Sequence, residues 1–403
     1  MSLADFPRLA SGLISLGERW LMSKRRSRIL KTALLTTMLV ASAGTAQDAR
    51  GPHSCPGRSG EAVRAASLGA DQPHLILNEN FPDPFVARFN GTYHAFATGN
   101  QVGGAQMNVQ LVRSRKLTGW SAPIEALPAV NLPGWVDRNH PQVWAPEVMQ
   151  VGGGYVLYFN ARHSTLTRTE TPPEGPVVRQ RHCLGVAIAR APEGPYVGVG
   201  EPLVCSEFPE GVIDANVFRE GDSLYLYYKD DGNCCGRGSA IYVQGMSSDG
   251  LAALGPPHKL IANNDSPEKH DDWEWLVVEA PTMVKREGAY FLFYSGNFFG
   301  NKNYSVGYLK CASPRGPCSD PGENPILWSH KATSLIGPGH QSVLDEGRQG
   351  LIFFHGWNED PDAKERPGVH KRCLYVSRLH WDRPAASTDP VPRIVGGEPP
   401  DEQ

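Results

Sequence analysis

The chain has 403 residues, which is enough for two or three average domains or for one large all-β domain. Its 43 glycines and 34 prolines lie mainly between short aromatic and β-branched runs, so they indicate turns rather than disorder. The net charge is −3 with both signs interspersed, and no basic face is evident, which argues against nucleic acid as a partner.

The N-terminus has the layout of a secretory signal. A basic segment, Lys24–Arg28, precedes an apolar run at about Thr32–Val40, and small residues then offer cleavage after Ala43 or Ala46. The apolar run is shorter than the roughly 20 residues that a membrane span needs. We therefore predict an N-terminal extension and signal peptide over residues 1–46, a secreted or periplasmic mature chain, and no membrane association after cleavage.

Eight cysteines fit the oxidising compartment that such a signal predicts. Cys311 and Cys318 are close enough in sequence to close a small loop, and Cys183 and Cys205 could close a larger one. The other four are Cys55, Cys234, Cys235 and Cys373. No spacing is typical of a zinc site, and the connectivity of the eight remains open.

One sequence pattern recurs five times. Each copy has an apolar residue three places in, then a glycine-containing turn, then the start of an aromatic or aliphatic strand. The copies are DPFVARFNGTYHAFATGN from Asp83, APEVMQVGGGYVLYFNAR from Ala145, DANVFREGDSLYLYYKDD from Asp214, APTMVKREGAYFLFYSGN from Ala280 and HQSVLDEGRQGLIFFHGW from His340. Their first residues are 60 to 69 positions apart, so the chain has a five-fold internal period.

This period predicts an all-β, five-bladed β-propeller with four-stranded blades around a central channel, because each unit has room for four short strands and helical periodicity is scarce. An open solenoid is the alternative, but its periods are usually shorter. We place the propeller at residues 74–385, after a linker at 47–73. The Pro-rich, polar tail at 386–403 is predicted to be disordered.

Charged residues occupy equivalent positions of the repeat. Asp83, Asp214 and His340 are the first residues of their copies, and Glu279 comes one place before its copy. Because the first strand of every propeller blade lines the channel, we expect these side chains to converge near the axis. Glu279 follows two valines and precedes Ala280, so we expect apolar surroundings for it.

Paired carboxylates of this kind are what glycoside hydrolysis requires, with one protonated and one ionised. Apolar surroundings would raise the pKa of the acid, which suits Glu279. Asp83 lies between two prolines, so the backbone N–H after it is missing and cannot cap an ionised carboxylate. Asp214 would add a third charge near the acid. Asp-Pro on its own is also a frequent turn, so the set carries more weight than any member.

The motifs NENFPDPFV, VWAPEV, GVIDANVF, VVEAPTMVKREGAYFLFYS and GPGHQSV resemble, in order and spacing, the blade motifs of glycoside hydrolase family 43. That family consists of five-bladed propellers, which are inverting glycosidases acting mostly on arabinose- and xylose-containing plant polysaccharides. The resemblance implies that Asp83 is the general base, Glu279 the general acid and Asp214 the residue that tunes the acid. Ala215 departs from the proline usual after that aspartate, which slightly weakens the assignment of Asp214.

The resemblance also implies supporting residues. His340 matches a histidine that in some family members neighbours a calcium or similar cation in the channel, whereas no cofactor is required for catalysis. We predict that five other residues bind substrate, although each is also compatible with a structural role: Trp144, Asn160, Ser295, Asn297 and Arg372.

The function predicted is a secreted, monomeric, inverting glycosidase that cleaves α-L-arabinofuranosyl linkages in arabinan or arabinoxylan. A β-xylosidase of the same fold is the alternative within the class. A carbohydrate-binding propeller without activity is the alternative outside it, but all three carboxylates are present. A retaining fructan-active propeller would have an Arg-Asp-Pro motif, which does not occur in this sequence.

Overall fold

Five antiparallel sheets form the fold, one for each copy of the repeat. The computed structural model describes residues 72–172, 175–205, 207–263, 273–275, 277–330, 334–346, 349–358, 370–384 and 390–394. Within these ranges the chain is all-β apart from two 3₁₀ turns, Ala129–Asn131 and Gly232–Cys235, and none of its helices is long and apolar enough to span a bilayer. The predicted signal peptide, and the linker as far as residue 71, lie outside the described residues.

Four blades each consist of four strands that follow one another along the chain. From the channel outwards they are β2–β5 (Phe85–Phe89, Thr92–Val102, Ala105–Ser114, Ile124–Glu125), β6–β9 (Trp144–Val151, Gly154–Glu170, Val177–Ala189, Val197–Val204), β10–β13 (Val212–Glu220, Ser223–Asp230, Ala240–Met246, Ala253–Ala262) and β14–β17 (Val278–Arg286, Ala289–Gly296, Ser305–Cys311, Cys318–Ser319). Each blade's innermost strand contacts that of the next, as the propeller prediction requires.

The fifth blade closes the ring with strands from both ends of the described chain. Its three inner strands are β18 (Gly339–Glu346), β19 (Gln349–Trp357) and β20 (Arg372–Asp382). The outer position is shared by β1 (His74–Leu77) and β21 (Val391–Ile394), which pair with different parts of β20. The innermost strand β18 contacts β2, so the ring of blades is complete.

Strand β21 corrects the prediction of a disordered tail over residues 386–403. Ile394 is buried and pairs with Leu379, and both belong to the apolar core formed between the fourth and fifth blades. A short apolar segment inside Pro-rich, polar sequence thus fills the edge that β1 leaves open on β20. The propeller therefore extends to residue 394 instead of ending at 385, and residues 395–403 lie outside the described part.

Tight turns join the first and second strands of three blades. Both central residues of each turn have positive φ: 50° and 77° at Asn90-Gly91, 57° and 85° at Gly152-Gly153, and 50° and 89° at Glu287-Gly288. Type I′ hairpins need this conformation at both positions. The glycine-containing turns predicted for these three copies are confirmed, and the turn predicted at Gly347 lies outside the described residues.

Two disulfides join the cysteine pairs that the spacing suggested, Cys183 to Cys205 and Cys311 to Cys318. Cys373 is also disulfide-bonded. Cys234 and Cys235 are free thiols. Cys55 lies outside the described residues.

The first residue of every repeat copy has a left-handed backbone conformation. The φ values are 55° at Asp83, 45° at Ala145, 61° at Asp214, 52° at Ala280 and 51° at His340. None of the five is glycine, so each conformation costs on the order of 1 kcal/mol or more. In four blades the pairing with the second strand also shifts register here, as in a β-bulge. The five residues line the channel.

A side chain from the preceding blade satisfies the backbone N–H of each of these strained residues. In four blades the acceptor is the residue fifteen positions after the first residue of the preceding copy. The donor–acceptor pairs are Ala145 N to Thr98 Oγ1 (2.9 Å), Asp214 N to Asn160 Oδ1 (3.3 Å), His340 N to Ser295 Oγ (2.8 Å) and Asp83 N to His355 Nδ1 (3.2 Å). We call these four bonds the blade clasps.

The third blade departs from this rule. Its residue at the clasp position is Lys229, whose ammonium group has no acceptor. The Oδ2 atom of Asp214 instead accepts the hydrogen bond from Ala280 N, at 3.0 Å. Lys229 is thereby released for another partner.

We expect Ser295→Ala to destabilise the protein by about 1–3 kcal/mol, because it leaves buried polar groups without partners. The hydroxyl accepts from His340 N and donates to Gln341 Oε1 (2.9 Å), and Ser295 is fully buried. Urea denaturation measures the loss. Ser223→Ala, at an exposed position that begins β11, is the matched control. Equal stability of the two variants would contradict a structural role for the clasp.

Candidate active site

One cavity of about 690 Å³ lies where the five inner strands begin. The predicted site residues that line it are Asp83, Trp144, Asp214, Glu279, His340 and Arg372. The convergence expected from the repeat is therefore observed for the three carboxylates and the histidine. They come from four different blades, so the closed ring is what brings them together.

Asp83 has cationic and hydrogen-bonding partners. Its Oδ2 accepts from Thr98 Oγ1 at 2.6 Å, and its Oδ1 accepts from Arg372 at 2.8 Å. The Nδ1 atoms of His340 and His355 each lie 3.5 Å from Oδ1. Burial favours the neutral acid, but the Arg372 charge, the two histidines and the Thr98 hydroxyl outweigh it and hold the pKa of Asp83 well below its usual range.

Glu279 is buried among polar partners rather than in apolar surroundings, which corrects the sequence-based expectation. Its Oε2 accepts from Lys229 Nζ at 2.8 Å, and its Oε1 accepts from Tyr304 OH at 2.7 Å. Val277 and Val278 are buried, but they do not isolate the carboxylate from these two polar partners. Both carboxylate oxygens of Glu279 therefore have donors, as a buried charge requires.

Lys229 is a fully buried lysine that remains charged. Burial favours its neutral form, but Glu279, Asp231 and Asp214 outweigh that effect and raise the pKa of Lys229. The Oδ1 atom of Asn233 accepts a second hydrogen bond from Nζ at 2.7 Å. Lys229 also lines the cavity, so it is part of the site.

Asp214 differs from Asp83 in its neighbours. Burial, with the nearby Glu279 and Asp83 carboxylates, raises the pKa of Asp214 to about 6, against the opposing charges of His340 and Lys229. Its Oδ2 atom is held by the Ala280 N–H. The Asp214 carboxyl therefore holds a proton in mildly acidic solution.

The expected cation near His340 stays a prediction. Calcium takes six to eight oxygen ligands, whereas the Asp83 carboxylate beside His340 is already held by Arg372 and Thr98. The described part of the chain contains no group of three or more His, Cys, Asp or Glu side chains that could hold a metal. These residues do not fit a protein-ligated calcium, and we derive no step through one.

Buried His355 has a pKa well below the usual value, so its Nδ1 can act as an acceptor.

Three predicted substrate-binding residues do not line the cavity. Asn160 and Ser295 are fully buried and serve as clasp acceptors, so they cannot contact a sugar in this structure. Asn297 is 8% exposed, and its Oδ1 accepts from Phe298 N at 2.9 Å and from Asn301 Nδ2 at 3.0 Å. These three polar residues hold the backbone behind the site.

Trp144 and Arg372 do line the cavity as predicted. The Trp144 ring stacks on buried His182, with ring centroids 3.9 Å apart and an interplanar angle of 25°. The Arg372 guanidinium lies 4.9 Å from the centre of the Phe299 ring while it binds Asp83. Both residues are therefore fixed in place before a ligand arrives.

The sequence analysis missed Lys229 and Tyr304. The repeat did contain a signal for Lys229, because it occupies the same position as Asn160 and Ser295, where an acceptor recurs in the other blades. Tyr304 lies just before β16 at a position that the repeat does not mark. Burial and the Glu279 carboxylate raise the pKa of Tyr304, which keeps its hydroxyl a donor.

These groups can carry out acid and base chemistry in one cavity. Asp83 is an ionised acceptor for a proton, and Asp214, near Glu279, holds a proton in mildly acidic solution. A bond placed between the two sides would be attacked from one side and protonated from the other. This is the division of roles that glycoside hydrolysis uses.

Comparison with known proteins gives consistent findings. The family model described as Glycosyl hydrolases family 43 matches residues 73–383. The chain is 27% identical to a β-D-galactofuranosidase from Aspergillus niger, over 75% of this chain and 80% of the relative. It is 26% identical to an extracellular exo-α-(1→5)-L-arabinofuranosidase from Streptomyces chartreusis, over 68% and 79%. A thermostable family-43 glycoside hydrolase of known structure superposes with a TM-score of 0.63 at 24% identity, covering 84% of this chain and 97% of that one.

We expect Lys229→Met to destabilise the protein by about 3–5 kcal/mol, because it leaves the Glu279 carboxylate buried without its cation. Chemical denaturation measures the change. The double variant Lys229→Met/Glu279→Gln should recover much of the loss, since it removes the unpaired charge. Additive effects of the two substitutions would show that the ion pair does not couple these residues.

Proposed function

The chain belongs to glycosyl hydrolases family 43, and from that membership we propose that it hydrolyses α-L-arabinofuranosyl linkages in plant cell-wall polysaccharide, with inversion at the anomeric carbon. The observation that carries this proposal is the contrast between carboxyl groups in one cavity. Asp83 is bound by the Arg372 guanidinium and has two histidines beside it, whereas Asp214 is buried near the Glu279 and Asp83 carboxylates. The furanosidase names of the relatives support a furanoside substrate.

In the proposed reaction Asp83 is the general base. It takes a proton from a water molecule as the water oxygen bonds to the anomeric carbon. Arg372 and Thr98 bind its two oxygens, which orients the carboxylate and keeps it ionised before the attack. The bond to the leaving-group oxygen breaks on the opposite side.

Glu279 is the proposed general acid, which gives its proton to the leaving oxygen. Asp214 raises the share of this pair that is protonated, because two adjacent carboxylates cannot both ionise easily. Lys229 and Tyr304 bind Glu279 from behind and fix its orientation. After one turnover Asp83 carries a proton and the pair has lost one, so solvent exchange restores the starting state.

We propose that the chain acts outside the cytoplasm, secreted or periplasmic, as a monomer. The predicted signal peptide supports export, and the disulfides Cys183–Cys205 and Cys311–Cys318 are typical of oxidising compartments. A relative named as extracellular is consistent with it. The substrate would then be an extracellular polysaccharide or an oligosaccharide released from one.

Four substrates test the proposal: an aryl α-L-arabinofuranoside, an aryl β-D-xyloside, linear arabinan and branched arabinan. Hydrolysis of an arabinofuranosyl substrate is expected, and proton NMR of the first-formed sugar should show the opposite anomer to the linkage. Preference for the xyloside would favour the β-xylosidase alternative. Binding without hydrolysis of any substrate would favour a non-catalytic propeller.

We expect Glu279→Gln to lower kcat on these substrates by at least about 100-fold, because general acid catalysis typically contributes 10²–10⁴-fold. The variant should retain its fold and bind the sugar, which circular dichroism and calorimetry check. Glu220→Gln is the matched control, since it changes a carboxylate at the C-terminal end of β10 that does not line the cavity. Wild-type kcat in Glu279→Gln would remove Glu279 from the mechanism.

We expect kcat/KM to fall as the pH rises above about 6, because Asp214, which lies near the proposed acid Glu279, then loses its proton. The acid limb should lie far lower, since Asp83 stays ionised well below the usual range. A pH profile of kcat/KM measures both limbs. Asp214→Asn should move the descending limb, and a limb that stays in place would contradict the assignment of the proton to Asp214.

A further inference from the structure

The exposed aromatic side chains are concentrated in one place. Among the residues that the structure describes, Trp275, Phe298 and Phe299 are the exposed ones, at 43%, 41% and 39%. All three line the catalytic cavity. Large aromatic side chains exposed to water in a concave site are usual where a ligand binds. On other parts of a protein surface such exposure is unfavourable and uncommon. We call these three residues the aromatic wall.

The wall is rigidly supported although its segments are distant in sequence. Asn297 has φ of 74° and donates its backbone N–H to Glu274 O (2.8 Å) and Val277 O (3.1 Å). Its side chain accepts from Phe298 N and donates to Trp273 O (3.3 Å). One residue in a left-handed conformation thus joins the segment before β14 to the loop after β15.

The far end of the wall is fixed as well. Trp357 Nε1 donates to Phe299 O at 2.8 Å, and Arg372 covers the Phe299 ring. The Arg372 guanidinium also binds Asp83, so its positive charge is paired with the carboxylate of the proposed base. The Phe298 and Phe299 rings lie 4.8 Å apart at 53°, which presents two tilted faces to the cavity.

The position of the wall identifies its ligand. Trp275 precedes β14, which carries Glu279, and Phe298 follows β15 of the same blade. In the proposed reaction Glu279 protonates the leaving group, so a wall on this blade meets the leaving side of the scissile bond. An aromatic face packs against the C–H face of a sugar ring, and a neutral ring needs no charged partner there.

Resting on the proposed function, we propose that the aromatic wall is a subsite for a neutral sugar unit on the leaving side of the cleaved bond. The substrate is then an oligosaccharide or polysaccharide, because a small leaving group would leave the wall exposed to water. Asn297, predicted from sequence as a sugar ligand, is a positioning residue for this subsite.

The test compares two substrates of the same sugar, an α-1,5-linked arabinofuranosyl disaccharide and the methyl arabinofuranoside. We expect Trp275→Ala and Phe298→Ala each to lower kcat/KM for the disaccharide by about tenfold, with a clearly smaller loss on the methyl glycoside. Trp275→Phe and Phe298→Tyr keep an aromatic face and should restore most of the disaccharide activity. Equal losses on both substrates would overturn the proposal.

Leu254→Ala is the matched control, since it removes a large side chain that is 51% exposed on β13, the outermost strand of its blade. It should leave both rates at wild-type values. If the wild-type protein hydrolyses neither substrate, the proposed function fails. Calorimetric titration with an arabinan oligosaccharide then tests the wall alone, and binding that Trp275→Ala and Phe298→Ala leave intact, or no binding at all, would overturn it.

Discussion

The blade clasp is the interaction on which this site depends. A non-glycine residue at positive φ lies near the start of each inner strand, and this conformation persists only where its surroundings enforce it. The N–H of that residue is bound by a side chain from the preceding blade, so the strained backbone and the blade-to-blade contact stabilise each other. Because the same residues carry the side chains that line the channel, ring closure and site geometry are set by one set of hydrogen bonds.

The third blade shows how a functional site can arise from a change in such a repeat. An acceptor is replaced by Lys229, and Asp214 takes over the hydrogen bond to the next blade. The buried ammonium group is then free to pair with Glu279. A buried ion pair contributes little net stability because both charges lose their hydration. The pair is better understood as a device that orients Glu279 than as a source of stability.

Much of the fold followed from the sequence because the repeat is visible in it. The five copies predicted the blades, and equivalent positions predicted that Asp83, Asp214 and His340 would share one cavity. The direction of individual side chains was harder to predict. Asn160 and Ser295 look like sugar ligands in the sequence, but in the structure they form hydrogen bonds between blades. The partners of Glu279 come from other strands and a loop, which local apolar context could not reveal. Strand β21 was missed because the tail was judged by its Pro-rich, polar composition as a whole, and that composition hides a strand of only four residues.

Asp83 and Asp214 show that position in the repeat does not fix the chemistry of a residue. Both are the first residue of a repeat copy, both have positive φ near 60°, at 55° and 61°, and both line the same cavity. The pKa of one is nevertheless held low and that of the other is raised, because Arg372, two histidines and Thr98 outweigh burial at Asp83, whereas burial and Glu279 act together at Asp214. The pseudo-symmetric ring supplies equivalent places for carboxylates, and the unequal neighbours on the surrounding strands assign them different protonation states. A propeller can therefore separate an acid from a base without changing its backbone, by changing the residues beside each carboxylate.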